Sequence, residues 1–163
     1  VLADLLTPAE ETVDERTRHH RFDIDLLARR VAGATDWLGA QHSFADLPIG
    51  YFGASTGAGA ALVAAAQRPR AVAAVVSRGG RPDLAADALA QVLAPTLLLV
   101  GGNDGPVIEL NRQALARLNC EKKLVIVPGA THLFEEPGTL DMVAVQARDW
   151  FVRHFAAGRP DLA

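Results

Sequence analysis

From Leu47 to Gln67 the chain carries no charged side chain, and this run changes character in its middle. Ile49–Phe52 is apolar and strand-like, whereas Ala58 to Gln67 is a helix of small residues. Between them stands Gly53-Ala54-Ser55-Thr56-Gly57. A strand that becomes a helix over so few residues puts the turning residue, Ser55, into strained backbone geometry and projects its hydroxyl from the end of the sheet. Gly53 and Gly57 flank it where a side chain is expected to clash with the neighbouring strand or helix. The new helix also aims unpaired backbone N–H groups at whatever the hydroxyl approaches. The run is not a membrane span: Gly, Ala, Ser and Thr dominate it, Pro48 interrupts it, and Leu, Ile and Phe are too few to favour a bilayer.

The alternation continues on both sides. Val1–Leu6 reads as a short strand, and Thr7-Pro8-Ala9-Glu10-Glu11 as a helix start, with Pro at the first position and acids in the first turn. A long helical region follows, in which Phe22, Leu26, Leu27, Arg30, Val31, Ala34, Trp37 and Leu38 recur every three or four residues. Its charged part, Arg16 to Arg21, is expected to be exposed or irregular. Ala71–Val76, Thr96–Val100 and Leu124–Val127 read as further strands. Asp83 to Leu93, Asp104 to Leu118 and Thr139 to Phe155 hold the intervening and closing helices. Such an order predicts an α/β fold with a mostly parallel sheet and helices on both faces. The 163 residues form a single domain, residues 1–163.

Sixteen basic residues against nineteen acidic ones give a net charge of −3 without a basic cluster, which excludes a nucleic-acid partner. The single cysteine, Cys120, cannot form an internal disulfide and fits a reducing, cytoplasmic compartment. His132-Leu133-Phe134-Glu135 has a metal-like spacing, but nothing completes a ligand set, so neither metal nor cofactor is expected.

A nucleophilic serine needs a base, and the base an orienting acid. In a parallel sheet these sit on loops at the C-terminal ends of strands. Thr96–Val100 exits into Gly101-Gly102-Asn103-Asp104-Gly105, and Leu124–Val127 into Pro128-Gly129-Ala130-Thr131-His132. Each residue alone has a plainer reading: a serine in a tight turn, an aspartate capping the next helix, a surface histidine. All three at strand ends, in the order Ser55, Asp104, His132, are harder to explain separately. Arg78 and Arg81 follow the strand after Ser55 and also lie near the mouth of the sheet. Arg78 is the candidate for binding an acidic substrate group, with a solvated or ion-paired arginine as the alternative. Glu135 and Glu136 are fallback acids, and His19, His20, His42 and His154 read as surface residues.

Through Gly-Ala-Ser-Thr-Gly, Gly-Gly-Asn-Asp-Gly and Gly-Ala-Thr-His the chain resembles the α/β-hydrolases, in particular the dienelactone-hydrolase-like group. The likeness extends over essentially all 163 residues. It implies Ser55 as nucleophile, His132 as general base and acid, Asp104 as orienter, and the Thr56 N–H as one oxyanion donor. Dienelactone hydrolases proper carry cysteine at the nucleophile position, so Ser55 points to a more general esterase of small soluble acyl substrates.

The likeness also implies strands and an oxyanion loop ahead of Ser55 that these residues do not supply. The fold is therefore expected to be an α/β-hydrolase lacking its N-terminal strands, with an exposed sheet edge awaiting a preceding segment or a partner chain. With one oxyanion donor missing, turnover by these residues alone is expected to fall by about 10²–10³. Two other classes compete. Gly53-Ala54-Ser55-Thr56-Gly57-Ala58-Gly59 also fits the phosphate-binding turn of an NADP-dependent short-chain dehydrogenase, and a non-catalytic hydrolase-like module would keep the fold without the chemistry.

Overall fold

The computed structural model describes residues 1–157. Among them, β1 (Ile49–Ala54), β2 (Val72–Arg78), β3 (Thr96–Gly101) and β4 (Lys122–Val127) form one parallel sheet in sequence order. Helix α3 (Thr56–Gln67) links β1 to β2, a kinked 3₁₀ segment (Pro82–Gln91) links β2 to β3, and α4 (Gly105–Arg117) links β3 to β4. Each link steps to the next strand in the same direction. Parallel crossovers are right-handed, so all three connections fall on one face. Helix α2 (Ile24–Gly39) joins them there, around Leu27, Tyr51, Leu62, Val75, Leu89, Leu98 and Leu118. The closing helix α5 (Thr139–Ala157) covers the opposite face, against Val76, Leu97, Leu99, Val127 and Phe134. Helices thus cover both faces, as the sequence leads one to expect.

β3 is buried at every position, which is why Thr96–Val100 reads as an unbroken apolar run rather than an alternating one. Leu98 faces the α3 side while Leu97 and Leu99 face α5, and each contributes about 1.5–3 kcal/mol by burial. The alanines of α3 serve a geometric purpose. Ala58, Ala60, Ala61, Ala64 and Ala65 are all buried, so the helix backbone lies close to the sheet and to α2.

Helix α1 (Pro8–Thr17) begins where the sequence places it. Thr7 and Glu10 form a reciprocal capping box, and Arg30 of α2 grips both Glu10 carboxylate oxygens at 2.6 Å while donating to the Leu5 carbonyl. A 3₁₀ turn, His20–Phe22, separates α1 from α2, in keeping with the irregularity expected over Arg16 to Arg21.

Three expectations are corrected. Val1–Leu6 is not a strand: it pairs with no strand among the described residues, and Val1 and Leu2 are exposed. Phe22 and Trp37, counted on the apolar stripe of the first helical region, are about half exposed: Phe22 falls in the 3₁₀ turn ahead of α2, and Trp37 lies outside the face of α2 that joins the core. His154 is buried rather than superficial, packed on Trp150 with ring centroids 4.5 Å apart.

β1 and β4 are the sheet edges among the described residues. β4 opens on Lys122 and Lys123, whereas β1 exposes Phe52 beside an apolar groove of about 710 Å³ that includes Leu38, Phe44, Leu47 and Phe155. An exposed apolar edge is therefore present at β1, as expected.

Candidate active site

Ser55 sits between β1 and α3 with φ 49° and ψ −126°, a conformation that L-residues rarely adopt. Its carbonyl accepts from Ala58 N and Arg81 N, at 3.1 and 3.0 Å, and these bonds hold the turn. A Cβ at Gly53 would lie 2.7 Å from the Ala58 Cα, so only glycine lets α3 start so close to the strand. The parallel expectation for Gly57 is corrected: a Cβ there meets nothing within 4 Å, because it faces the open groove beside β1.

Ser55 occupies the N-cap of α3, and Asp104 the N-cap of α4. Serine and aspartate are favoured caps, and a cap's side-chain oxygen accepts a hydrogen bond from a backbone N–H of the first turn. Neither does so here. The Asp104 carboxylate instead lies 2.7 Å from His132 Nδ1. With that carboxylate ionised, Nδ1 carries the proton and donates it, leaving Nε2 as the free basic nitrogen. The plainer reading of Asp104, a helix cap, is thereby set aside.

The loop 128–138 reaches Asp104 because β3 ends without a side chain in the way. A Cβ at Gly101 would sit 2.5 Å from the Ala130 carbonyl oxygen. Asn103 then ties the loop down, its backbone N–H on Ala130 O and its side-chain amide on Gly129 O, both at 2.9 Å. Glu136, a fallback acid in the sequence, accepts from Thr131 N at 3.0 Å. Hydrogen bonding by the Thr131 side chain and then by its backbone N–H holds the Glu136 carboxyl below the usual range, and gives it a structural task.

Ser55, Thr56 and His132 line one cavity of about 580 Å³, with no direct hydrogen bond between Ser55 and His132. Thr56 is the first residue of α3, so its N–H has no intrahelical acceptor. The far wall is the segment before α2: Leu6, Glu11, Asp14, Arg21 and Phe22. Sequence reasoning missed this wall, since nothing in the sequence says that α1 folds back over the serine. Two arginines face the cavity, each paired with a carboxylate: Arg21 with buried Asp14 and Arg81 with Asp83, the latter at 2.8 Å. Arg78 does not line it.

Cys120 is half-buried, and burial pushes its thiol up, as befits a structural cysteine. No cluster able to hold a metal occurs among the described residues, and none of the described helices is long and apolar enough to cross a membrane. Tyr51, the only tyrosine, is buried, with its hydroxyl 2.6 Å from Thr35 Oγ1. It is engaged with α2 rather than with the mouth of the sheet where a dehydrogenase would need it.

A parallel sheet with a strained serine turn after its first strand, and an Asp–His pair on later strand ends, defines the α/β-hydrolase class. Residues 7–155 match the model of the dienelactone hydrolase family. The chain belongs to that family. A dienelactone hydrolase structure from Anabaena variabilis is 62% identical, with a TM-score of 0.90, over 93% of this chain and 70% of that one. A dienelactone-hydrolase-like promiscuous phosphotriesterase from metagenomic libraries, 17% identical, shares the fold with a TM-score of 0.74 over 94% of this chain and 74% of its own. A Mycobacterium tuberculosis protein carrying the provisional name phosphoribosyl transferase is 59% identical over 98% of this chain. The chain spans only 35% of that relative's length.

Proposed function

We propose that this chain carries the catalytic part of a serine hydrolase that cleaves an ester, thioester or lactone of a small acyl substrate. The observation that carries the reading is the unused caps: Ser55 and Asp104 stand at helix starts, and their side chains bond to neither helix. Asp104 is given to His132, and Ser55 is left facing the cavity. In this reading His132 Nε2 takes the Ser55 proton as Oγ attacks the carbonyl, and Asp104 stabilises the resulting imidazolium. The Thr56 N–H stabilises the oxyanion. His132 then protonates the leaving group, and a water activated by the same nitrogen hydrolyses the acyl-enzyme.

Membership of the hydrolase family supports this over the NADP-dependent alternative. The phosphoribosyl transferase name belongs to a protein of which this chain matches 35%, and hydrolase chemistry is assigned to the matching part. The reading also includes a cytoplasmic location and a β1 edge covered by further polypeptide or by a partner chain. Slow hydrogen exchange at the outward β1 amides in the whole protein checks the covering, and fast exchange removes it.

A fluorophosphonate probe tests the chemistry. Labelling that maps to Ser55 and is lost in Ser55→Ala is the expected result. A Ser55 that takes no label overturns it in favour of a non-catalytic module.

A further inference from the structure

We infer that Arg78 positions His132 and does not bind substrate, an assignment that rests on the hydrolase reading above. Arg78 is the last residue of β2, next to the loop that carries the histidine. Its Nη1 donates to the carbonyl of Leu133 at 3.3 Å, one residue beyond His132. Its guanidinium carbon lies 5.5 Å from the centre of the Phe134 ring, in cation–π range.

Phe134 explains why the loop needs this hold. It is fully buried and has φ 59°, a left-handed backbone that costs a bulky residue about 1 kcal/mol or more. The bend it imposes turns the chain back just after His132, and such a bend persists only when its surroundings enforce it. Gly79 completes the seat beneath it. A Cβ there would lie 3.0 Å from the His132 carbonyl oxygen and 3.2 Å from Phe134 Cε2.

His132 is thus held from both sides by different strands. Asn103, beyond β3, fixes residues 129 and 130 ahead of it. Arg78 and Gly79, at the end of β2, fix residues 132–134. Asp104 sets the tilt of the ring through Nδ1, and the Arg78 contact sets how far the ring stands from Ser55. Among the described residues no carboxylate lies within ion-pairing distance of Arg78, whereas Arg21 and Arg81 are both paired. In sequence an arginine near the mouth looks free to bind an anion. In the fold one of its donors goes to the Leu133 carbonyl and its charge lies over the Phe134 ring, and it does not line the cavity.

Arg78→Ala and Arg78→Lys, assayed with a neutral ester and a carboxylate-bearing ester, separate the two roles. A misplaced base is expected to lower kcat about 10–100-fold in Arg78→Ala with KM nearly unchanged for both esters. Arg78→Lys, which keeps the cation, recovers part of the loss. The Nδ1 proton of His132, followed by NMR, is expected to be sharp in the wild type and broadened in Arg78→Ala. A rise in KM confined to the acidic ester, or an unchanged kcat and His132 signal, overturns the assignment. Should Arg78→Ala not fold, Arg78→Lys against the wild type gives the same comparison with a smaller drop. Failure of the hydrolase reading is seen separately, as a wild type whose Ser55 takes no probe, and the His132 signal still reads the positioning.

Discussion

The two ends of the sheet are built differently. At the C-terminal end the chain leaves β1, β2 and β4 through residues with positive φ: Ser55, Gly79, Gly129 and Phe134. Residues 68–71, 92–95 and 118–121, which enter β2, β3 and β4 at the other end, include none. There the polar groups make ordinary bonds, such as Thr96 N and Val75 N to the carbonyls of Glu121 and Pro95, both at 2.9 Å. Trp150 Nε1 also donates to Pro95 O. One end is strained and presents unused polar groups; the other is relaxed and nearly satisfied. Of the positive-φ residues at the strained end, Ser55 and Phe134 are not glycines, and their strain persists only where surrounding structure enforces it; on the proposed hydrolase reading this is the end where the chemistry is organised.

Substitutions at the two ends should therefore separate reactivity from stability. The largest effect is expected at the strained end. Asp104→Asn leaves the fold in place but favours the wrong imidazole tautomer, and is expected to lower kcat/KM by about 10³–10⁴. Steady-state kinetics beside a melting curve checks it, and a fall in both would mean that Asp104 is structural. Next comes the relaxed end. Trp150→Ala removes a ring that is 6% exposed and is expected to cost about 3–5 kcal/mol in denaturant unfolding, with Ser55 labelling of the folded fraction unchanged. Smaller again, Ser55→Gly relieves the positive φ and is expected to raise stability by about 1 kcal/mol while removing all labelling. A loss of stability there would show that the turn is not strained.

The smallest effect is a pH dependence at the relaxed end. His154 Nε2 has no hydrogen-bond partner, and the ring is held below its ordinary value of 6.5 by burial. Glu121, 3.8 Å away, opposes that shift and Arg153 reinforces it. The folded state resists protonation more than the unfolded chain does, so stability falls as the pH drops below about 6.5. His154→Gln is expected to flatten that decline in melting curves between pH 7 and 5 without altering Ser55 labelling.

A second acid effect concerns the N-terminal segment. The Arg30 hydrogen bonds hold Glu10 at about 2, so its stabilising contribution is whole above 4.5 and disappears as the pH falls toward 2. Proteolysis within residues 5–22 should accelerate over that window, ahead of global unfolding.

Much of this was legible in the residues because period and punctuation report on local structure. The buried run Thr96–Val100, Pro8 behind the Thr7 cap, and the glycines around Ser55 each state their element without reference to the rest of the chain. The placement of Asp104 and His132 at strand ends followed from the same reading. What was not legible depends on which surfaces meet. His154 looks like a surface residue until Trp150 is placed against it, and Gly57 looks like a packing glycine until its side of the helix proves open. Val1–Leu6 has a strand's composition but no strand beside it. Arg78 shows a free charge in sequence and an occupied one in space, because its partners are a backbone carbonyl and a ring face that no motif announces.

The far wall of the cavity is fastened mainly to α2, through Arg30, Glu10 and the Leu5 carbonyl, rather than to the strand ends that carry Ser55, Asp104 and His132. On the proposed hydrolase reading, the parts that would choose a substrate and the parts that would act on it are thus hung on separate frames. Changes at Leu6, Glu11 or Phe22 can reshape the cavity while Ser55, Asp104 and His132 keep their places, so on that reading the range of substrates would be free to drift while the chemistry stays fixed.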